Sequence, residues 1–208
     1  FCFIGFDNPK TFHNELTLDE VDKLTKNLGA SLLNVNFTGG EPFARKDIEE
    51  IAKLYIKNTT VQSMYVTTNA SLPDRVENFA KTIIDLDKDI ELTFQISIDD
   101  LPKEHDRVRK IDNLFDNCID TYQRLLKVDQ RVTPIVSITV SHENCENIEE
   151  IFKYLTITCK INSIKCTVVR DEGVYKTPKE KREKIFKAYS WLTNKIKELT
   201  DQKKINNY

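Results

Sequence analysis

The sequence is poor in glycine, proline and methionine. Its 208 residues include five glycines, six prolines and one methionine, and two of the glycines are adjacent. No apolar run approaches the roughly 18 residues that a membrane-spanning helix needs, so we expect no membrane association. The net charge of -2 at pH 7 gives no electrostatic reason to expect nucleic acid or an anionic membrane as a partner. The five scattered cysteines form no Cys-x-x-Cys pair, which argues against a disulfide framework and predicts a reducing, cytoplasmic environment.

Helical and extended patterns alternate along the chain. Thr17 and Glu20 have the spacing of a capping box, which predicts the start of a helix that ends near Gly29. Strand and helix patterns then alternate about every 30–40 residues, which predicts repeated βαβ units and a parallel sheet. No linker divides the chain, so we expect one domain over residues 1–200 and a frayed tail over 201–208. The predicted strands cover 33–38, 64–69, 91–99, 132–141 and 163–169, and the later helices cover 46–58, 73–86, 111–128, 147–158 and 178–200.

Apolar and polar residues alternate within the predicted strands, although parallel strands covered on both faces usually form continuous apolar runs. In the strand 91–99, Phe94, Ile96 and Ile98 alternate with Gln95 and Ser97. The apolar sides are expected to meet the helices, and the polar sides to face each other or a ligand. The strands are too few for a closed eight-stranded barrel. We therefore expect an α/β fold with an open, partial parallel β/α barrel of about six units, whose first strand precedes this chain; a half-exposed antiparallel sheet is the alternative.

Polar residues follow the ends of all five predicted strands. In parallel α/β folds, binding and catalytic groups lie at the C-terminal ends of the strands, so we expect these residues to share one rim. A backbone that contains two adjacent glycines can also approach a ligand closely. The residues of this rim are Gly39-Gly40-Glu41, Asn69, Asp99, the stretch 141–144 and Arg170.

Taken together, these motifs resemble the radical S-adenosylmethionine (AdoMet) superfamily, in particular its cofactor-synthesis and peptide-maturase branches. The core of that family carries a three-cysteine loop, a Gly-Gly-Glu-Pro motif after the second strand, and polar motifs at the ends of the next two strands. The matching residues in this chain are Phe1-Cys2, Gly39 to Pro42, Thr68-Asn69, Ser97-x-Asp99 and His105 to Arg109. The resemblance covers about residues 1–173.

The resemblance implies an enzyme that binds a [4Fe-4S] cluster and AdoMet. Reductive cleavage of AdoMet would give a 5′-deoxyadenosyl radical that abstracts hydrogen from a substrate, either a small molecule or a peptide, which the sequence does not identify. Cys2 would be one cluster ligand, and two further cysteines are expected three and seven residues before it, so this segment alone is expected to be inactive. The electron donor would be a protein such as a flavodoxin or ferredoxin.

The resemblance also implies a role for individual residues around AdoMet. Gly39, Gly40 and Glu41 would bind its ammonium group, and Arg109 would pair with its carboxylate. The other members of the predicted cofactor site are Thr67, Gln95 and Ser97 as hydrogen-bonding groups, Phe1 at the adenine, Val169 as an apolar wall, Asn69, and Asp99 as a residue that holds the surroundings of the ligand.

Two other functions remain compatible with the residues alone. The domain could keep the fold without a cluster and act as a binding or scaffold module, because none of its other four cysteines replaces the absent ligands. It could instead be an unrelated partial-barrel enzyme in which Glu41 and Asp99 act as acid and base.

Overall fold

The structure is a computed structural model that describes residues 15–170, 177–202 and 205. Within these ranges, helices and strands alternate as the sequence predicts. The strands are β1 (Asn34–Phe37), β2 (Ser63–Thr68), β3 (Glu91–Ser97), β4 (Val132–Val140) and β5 (Ile164–Val168). The α-helices are α1 (Leu18–Leu28), α2 (Ile48–Asn58), α3 (Pro73–Leu86), α4 (Pro102–Arg109), α5 (Leu114–Leu125), α6 (Ile148–Lys153) and α7 (Arg182–Asp201). Short 3₁₀ segments cover Gly29–Ser31, Pro42–Ala44 and Lys179–Lys181, and a π-helical turn covers Tyr154–Thr158.

Helix α1 begins and ends where its local sequence predicts. The backbone N–H of Thr17 donates to the Glu20 carboxylate at 2.8 Å, and the Glu20 N–H donates to the Thr17 hydroxyl at 3.3 Å. This reciprocal pair satisfies two of the N–H groups that a helix start leaves without intrahelical partners. Gly29 follows the helix with φ 49°, a conformation that glycine adopts at little cost. The predicted capping box is therefore confirmed.

The strands form one open sheet in the order β1-β2-β3-β4-β5. The ladders of β1 with β2 and of β4 with β5 are both parallel. Burial alternates along β2 and β3, where the apolar residues are buried and the polar residues between them are half-buried. These observations confirm the predicted α/β fold with an open parallel sheet and exclude the antiparallel alternative.

Two expectations differ from the structure. Strand β4 does not alternate in burial, because its Ser137 is only 3% exposed, like the apolar residues on either side of it in the chain. The helix predicted over 147–158 is regular only as far as Lys153 and continues as the π-helical turn. The strand and the helix that the sequence predicts are both present, but the burial of the strand and the end of the helix differ from the prediction.

The described residues divide into two compact units. The N-terminal unit comprises residues 15–95 and 120–134. Its two segments are joined by Arg124, which donates to Asp74 at 2.7 Å and to Glu77 at 3.0 Å, and by Arg131, which donates to the backbone carbonyl of Asp87 at 2.8 Å. Its core contains a group of buried phenylalanines on the turn after β1 and on α3 and β3, namely Phe43, Phe79 and Phe94.

The C-terminal unit comprises the described residues of 96–119 and of 135 onward. Helix α7 packs on β5, and its Ile185, Leu192 and Ile196 are buried. None of the helices in the described residues is long and apolar enough to cross a membrane. The single domain expected over residues 1–200 stays a prediction.

Candidate functional site

The turn Gly39-Gly40-Glu41-Pro42 follows β1 and leads into a 3₁₀ segment. Gly39 has φ 128°, a backbone conformation that side chains rarely adopt, so this position requires glycine. Apart from its chain neighbours, no atom lies within 4 Å of the place that a Cβ at Gly39 would occupy, and both glycines are exposed. The backbone of the turn is therefore open to the close approach of a ligand.

The Glu41 carboxylate joins the end of β1 to the end of β2. Its Oε1 accepts hydrogen bonds from the Thr68 hydroxyl at 2.7 Å and from the Phe43 N–H at 3.2 Å. Its Oε2 accepts one from the backbone N–H of Asn69 at 2.7 Å. Hydrogen bonds to an ionised carboxylate are stronger than those between neutral groups. Glu41 consequently holds the glycine turn and the Thr68-Asn69 pair in one arrangement.

The polar faces of β2 and β3 meet through Tyr65 and Gln95. The Tyr65 hydroxyl donates to Gln95 Oε1 at 2.6 Å, and burial raises the pKa of Tyr65. Thr67 is half-buried on the same face of β2 as Tyr65. The structure thus brings two of the predicted residues, Thr67 and Gln95, onto one polar face and adds Tyr65, which is not among the site residues predicted from the sequence.

Asp99 is the centre of a second network, which lies in the C-terminal unit. Its Oδ2 is bound by the Arg109 guanidinium through Nε at 3.1 Å and through Nη2, and its Oδ1 accepts the Thr139 N–H at 3.1 Å. Its backbone carbonyl accepts a hydrogen bond from Asn144 Nδ2 at 2.6 Å. Asp99 is 5% exposed. These contacts engage the Asp99 carboxylate within the fold. The predicted role of Asp99 at the cofactor site and the pairing of Arg109 with a cofactor carboxylate both stay predictions.

His105 is fully buried beneath Asp99 on helix α4. Its Nδ1 accepts the Asp99 N–H at 3.3 Å, which places the proton of the neutral ring on Nε2, 3.9 Å from Cys118 Sγ. Burial lowers the pKa of His105 to about 4, although the neighbouring Asp99 acts in the opposite direction. Desolvation disfavours the charged ring more than the nearby carboxylates favour it, so His105 is neutral in the folded protein at pH 7.

Acidification is expected to destabilise the fold through His105. The folded-state pKa of about 4 lies below the ordinary value of 6.5, so between these values the unfolded chain binds more protons than the folded one. The contribution of His105 is therefore complete above pH 6.5 and lost as the pH falls toward 4, a loss of about 3 kcal/mol. Urea unfolding at several pH values checks this. His105→Asn keeps an acceptor for the Asp99 N–H, and its free energy of unfolding should depend less on pH than that of the wild type. The same pH dependence in both proteins would contradict the prediction.

The remaining predicted residues are more dispersed. Ser97 ends β3 and is half-buried, and Val169 follows β5, where its N–H donates to the Val140 carbonyl at 2.9 Å. Phe1 and Cys2 lie outside the described residues. Among residues 15–170, 177–202 and 205, no group of three or more His, Cys, Asp or Glu side chains could hold a metal ion.

Sequence reasoning misses several contacts that hold the two networks. Thr68 belongs to a recognised motif, but its spacing does not predict the contact with Glu41, and the pattern of β4 marks Thr139 only as a polar strand residue. His105 lies in a charged stretch outside the helices that the sequence predicts. In the structure, helix α4 begins at Pro102, and the His105 side chain is buried. The position of Asn144 after β4 is the available signal for its contact with Asp99.

The open parallel sheet, with an exposed glycine turn and polar strand ends, defines an α/β domain of the kind that binds small ligands at its strand ends. The sequence pattern of the Radical SAM superfamily matches residues 1–155, which is most of the chain. The chain therefore belongs to the Radical SAM superfamily, and the predicted resemblance is confirmed.

Three curated relatives are similar to parts of the chain. The GTP 3',8-cyclase of Clostridium botulinum is 37% identical over 106 residues, 49% of this chain and 30% of that protein. Molybdenum cofactor biosynthesis protein 1 of Dictyostelium discoideum is 30% identical over 48% of this chain and 18% of its own length. The Fe-coproporphyrin III synthase of Methanosarcina barkeri is 28% identical over 69% of this chain and 34% of its own length. The chain thus spans well under two thirds of these relatives.

Solved structures share the fold over nearly the whole chain. The structure of native anSMEcpe with bound AdoMet and Kp18Cys peptide has a TM-score of 0.73 at 15% identity, and the match covers 99% of this chain and 58% of that one. A second structure, of polyhistidine-tagged anSMEcpe with bound AdoMet, has a TM-score of 0.72 at 15% identity and is matched over 99% of this chain and 56% of its own. At this level of identity the likeness establishes the fold alone.

Proposed function

We propose that this chain is the core of an enzyme that binds a [4Fe-4S] cluster and AdoMet and acts on its substrate by radical chemistry. The observation that carries the proposal is the Glu41 carboxylate, which ties the Gly-Gly-Glu-Pro turn to Thr68 and Asn69 through hydrogen bonds of 2.7 Å. Thr68 and Asn69 follow Glu41 by 27 and 28 residues in sequence. The hydrogen bonds therefore hold two motifs of the superfamily together. Membership in the superfamily supports the same function.

The N-terminal unit fits AdoMet at the glycine turn. The turn has open space at Gly39, and backbone carbonyls together with a carboxylate are suitable partners for an ammonium group. Gly39, Gly40 and Glu41 would hold this end of the ligand, and Thr67 and Gln95 would supply hydrogen bonds from the polar face of the sheet. When bound at a cluster, AdoMet supplies enzymes of this superfamily with a 5′-deoxyadenosyl radical that abstracts hydrogen.

The cluster is proposed from the superfamily and not from a ligand set in the described residues. Cys2 is its candidate ligand in this chain. The substrate is proposed to be a small molecule or a peptide, which the names of the relatives and of the peptide-bound structure support. A flavodoxin or ferredoxin is proposed as the electron donor.

The geometry does not favour the acid–base alternative. A catalytic acid or base must be able to reach the substrate with its carboxylate. Glu41 and Asp99 each accept hydrogen bonds from N–H groups, and Asp99 is also bound by Arg109. These contacts within the fold occupy both carboxylates and commit the two residues to structure.

Glu41→Gln is expected to weaken AdoMet binding by at least about tenfold. The amide keeps the shape of the side chain but removes the charge and places an NH₂ group against donors, which costs on the order of 1–3 kcal/mol. The measurement is equilibrium dialysis with labelled AdoMet on a protein that includes the two cysteines expected upstream of Cys2, after anaerobic reconstitution with iron and sulfide. Glu50→Gln is the matched control, because Glu50 is exposed on α2 and pairs with Lys53. Equal affinities for both variants would contradict the role of Glu41, and no binding by the wild type would contradict the proposed function.

A further inference from the structure

A cavity lies between α6 and α7 in the C-terminal unit. Its volume is about 600 Å³, which is within the range of small-molecule sites in proteins. Its walls come from four segments, namely α6 with the π-helical turn, residues 160–162, α7, and Ile205. Walls on several sides enclose a compact ligand, whereas a bound helix lies along a groove. The shape of the cavity therefore favours a small molecule.

The floor of the cavity is apolar. Phe152, Ile161 and Ile205 line the cavity and are only 2%, 1% and 6% exposed, so they form its deepest part. Trp191 also lines it, and the rings of Trp191 and Phe152 make an edge contact with their centroids 6.0 Å apart. Burial of apolar surface is favourable and burial of a polar group is costly. The floor therefore favours an alkyl chain over a polar group.

The π-helical turn brings an apolar side chain to the mouth of the cavity. Ile157 of this turn lines the cavity and is 63% exposed, whereas Leu155 of the same turn is 1% exposed. Short π-helical segments occur frequently at functional sites. An apolar residue at the mouth extends the surface that the chain of a ligand can cover.

The charged residues that line the cavity are all basic. They are Lys153, Lys160 and Lys195, and no Asp or Glu of the described residues is part of the lining. Lys153 Nζ is 3.9 Å from Glu149, which lies outside the lining. Lys195 Nζ is likewise 2.9 Å from Glu198. Lys160 forms no ion pair with any residue that the structure describes, so one positive charge at the cavity is not compensated.

We propose that this cavity binds an aliphatic carboxylate, with the alkyl chain on the apolar floor and the carboxylate at Lys160. A lysine lays its stem along apolar surface and keeps its ammonium in water, so Lys160 can meet a carboxylate at the mouth. The basic lining attracts an anion and repels a cation. The inference goes beyond the proposed function, because this site lies in the C-terminal unit and uses no residue of the proposed AdoMet site.

The test uses the fluorescence of Trp191, the single tryptophan of the chain. The probe is 10-bromodecanoate below its micelle concentration, since bromine quenches an indole ring only at close contact. Quenching should saturate, and decanoate should reverse it by competition. Octanoate should compete about tenfold more weakly, because it buries two CH₂ groups fewer. Decyltrimethylammonium, which has the same chain length and the opposite charge, should compete least.

Lys160→Met removes the charge and keeps an apolar stem, so it should weaken the binding of 10-bromodecanoate about fivefold. Lys103→Met is the matched control, because Lys103 is exposed on α4 in the same unit and does not line the cavity. The affinity of this control should equal that of the wild type. Absence of saturable quenching would overturn the inference. Equal competition by decanoate and decyltrimethylammonium, or equal affinities of the two variants, would overturn it as well.

Two other occupants of the cavity would give different results. A second copy of the chain would appear as a dimer in sedimentation velocity, and decanoate would dissociate it. An acidic helical segment of a partner protein is represented by an amphipathic peptide of leucine and glutamate, which would displace 10-bromodecanoate at a lower concentration than decanoate does. Either result would overturn the assignment to a small carboxylate.

Discussion

Asp99→Ala is expected to lower the free energy of unfolding by about 3–5 kcal/mol, because it breaks the largely buried ion pair between Asp99 and Arg109. The side chains of Asp99 and Arg109 are only 7% and 21% exposed. The substitution also leaves the Thr139 N–H without the carboxylate that accepts it. The measurement is urea unfolding at 25 °C, followed by circular dichroism and tryptophan fluorescence so that coincident transitions can be verified.

An exposed ion pair on the same helix provides the control. Arg107 and Glu104 of α4 are 62% and 48% exposed and 2.7 Å apart. Exposed pairs contribute about 0–1 kcal/mol, so Glu104→Ala should change the free energy of unfolding by no more than that. If Asp99→Ala costs no more than Glu104→Ala, Asp99 does not organise the C-terminal unit, and its assigned holding role is wrong.

Phe79→Ala is expected to cost a similar amount, about 3–5 kcal/mol, because it removes a buried ring and leaves a cavity. Phe79 is 1% exposed. Its ring centroid lies 5.5 Å from that of Phe43, 6.2 Å from that of Phe94 and 6.4 Å from that of Phe37. Phe43 follows the Gly39-Gly40-Glu41-Pro42 turn directly, so the cavity would open beneath the proposed AdoMet site.

Phe186→Ala is the matched control for this cavity. Phe186 is 68% exposed on α7, and surface substitutions usually change stability by no more than about 0.5 kcal/mol. The difference between the two variants in urea unfolding isolates the effect of burial. A loss below about 1 kcal/mol for Phe79→Ala would show that the surrounding rings collapse into the vacated space and that packing at this position is not specific.

The parts of the fold that sequence predicts well are those with local causes. The capping box of Thr17 and Glu20 and the glycine after α1 act over a few residues, so the ends of that helix are encoded beside it. The alternation in β2 and β3 likewise predicts which face of the sheet is buried. Strand β4 escapes this reasoning, because its alternation predicts Ser137 on the less buried face, whereas the structure buries this residue.

The sequence predicts where the candidate residues lie in the fold, but not which groups they bond to. Spacing places Glu41, Asn69 and Asp99 at strand ends, where the structure also finds them. Hydrogen-bond partners depend on angles and distances of about an ångström, which spacing does not specify. Arg109 therefore reads from sequence as a partner for a ligand carboxylate, whereas the placement of α4 brings it to Asp99.

The N-terminal unit is discontinuous in sequence, and this has a consequence during synthesis. Its second segment, residues 120–134, carries Arg124 and Arg131, which bind the segment before it. At about 5–20 residues per second, the ribosome needs on the order of 2–8 s for the ~40 residues between the end of the first segment and the end of the second. The nascent chain thus carries the glycine turn for seconds before its supporting unit is complete.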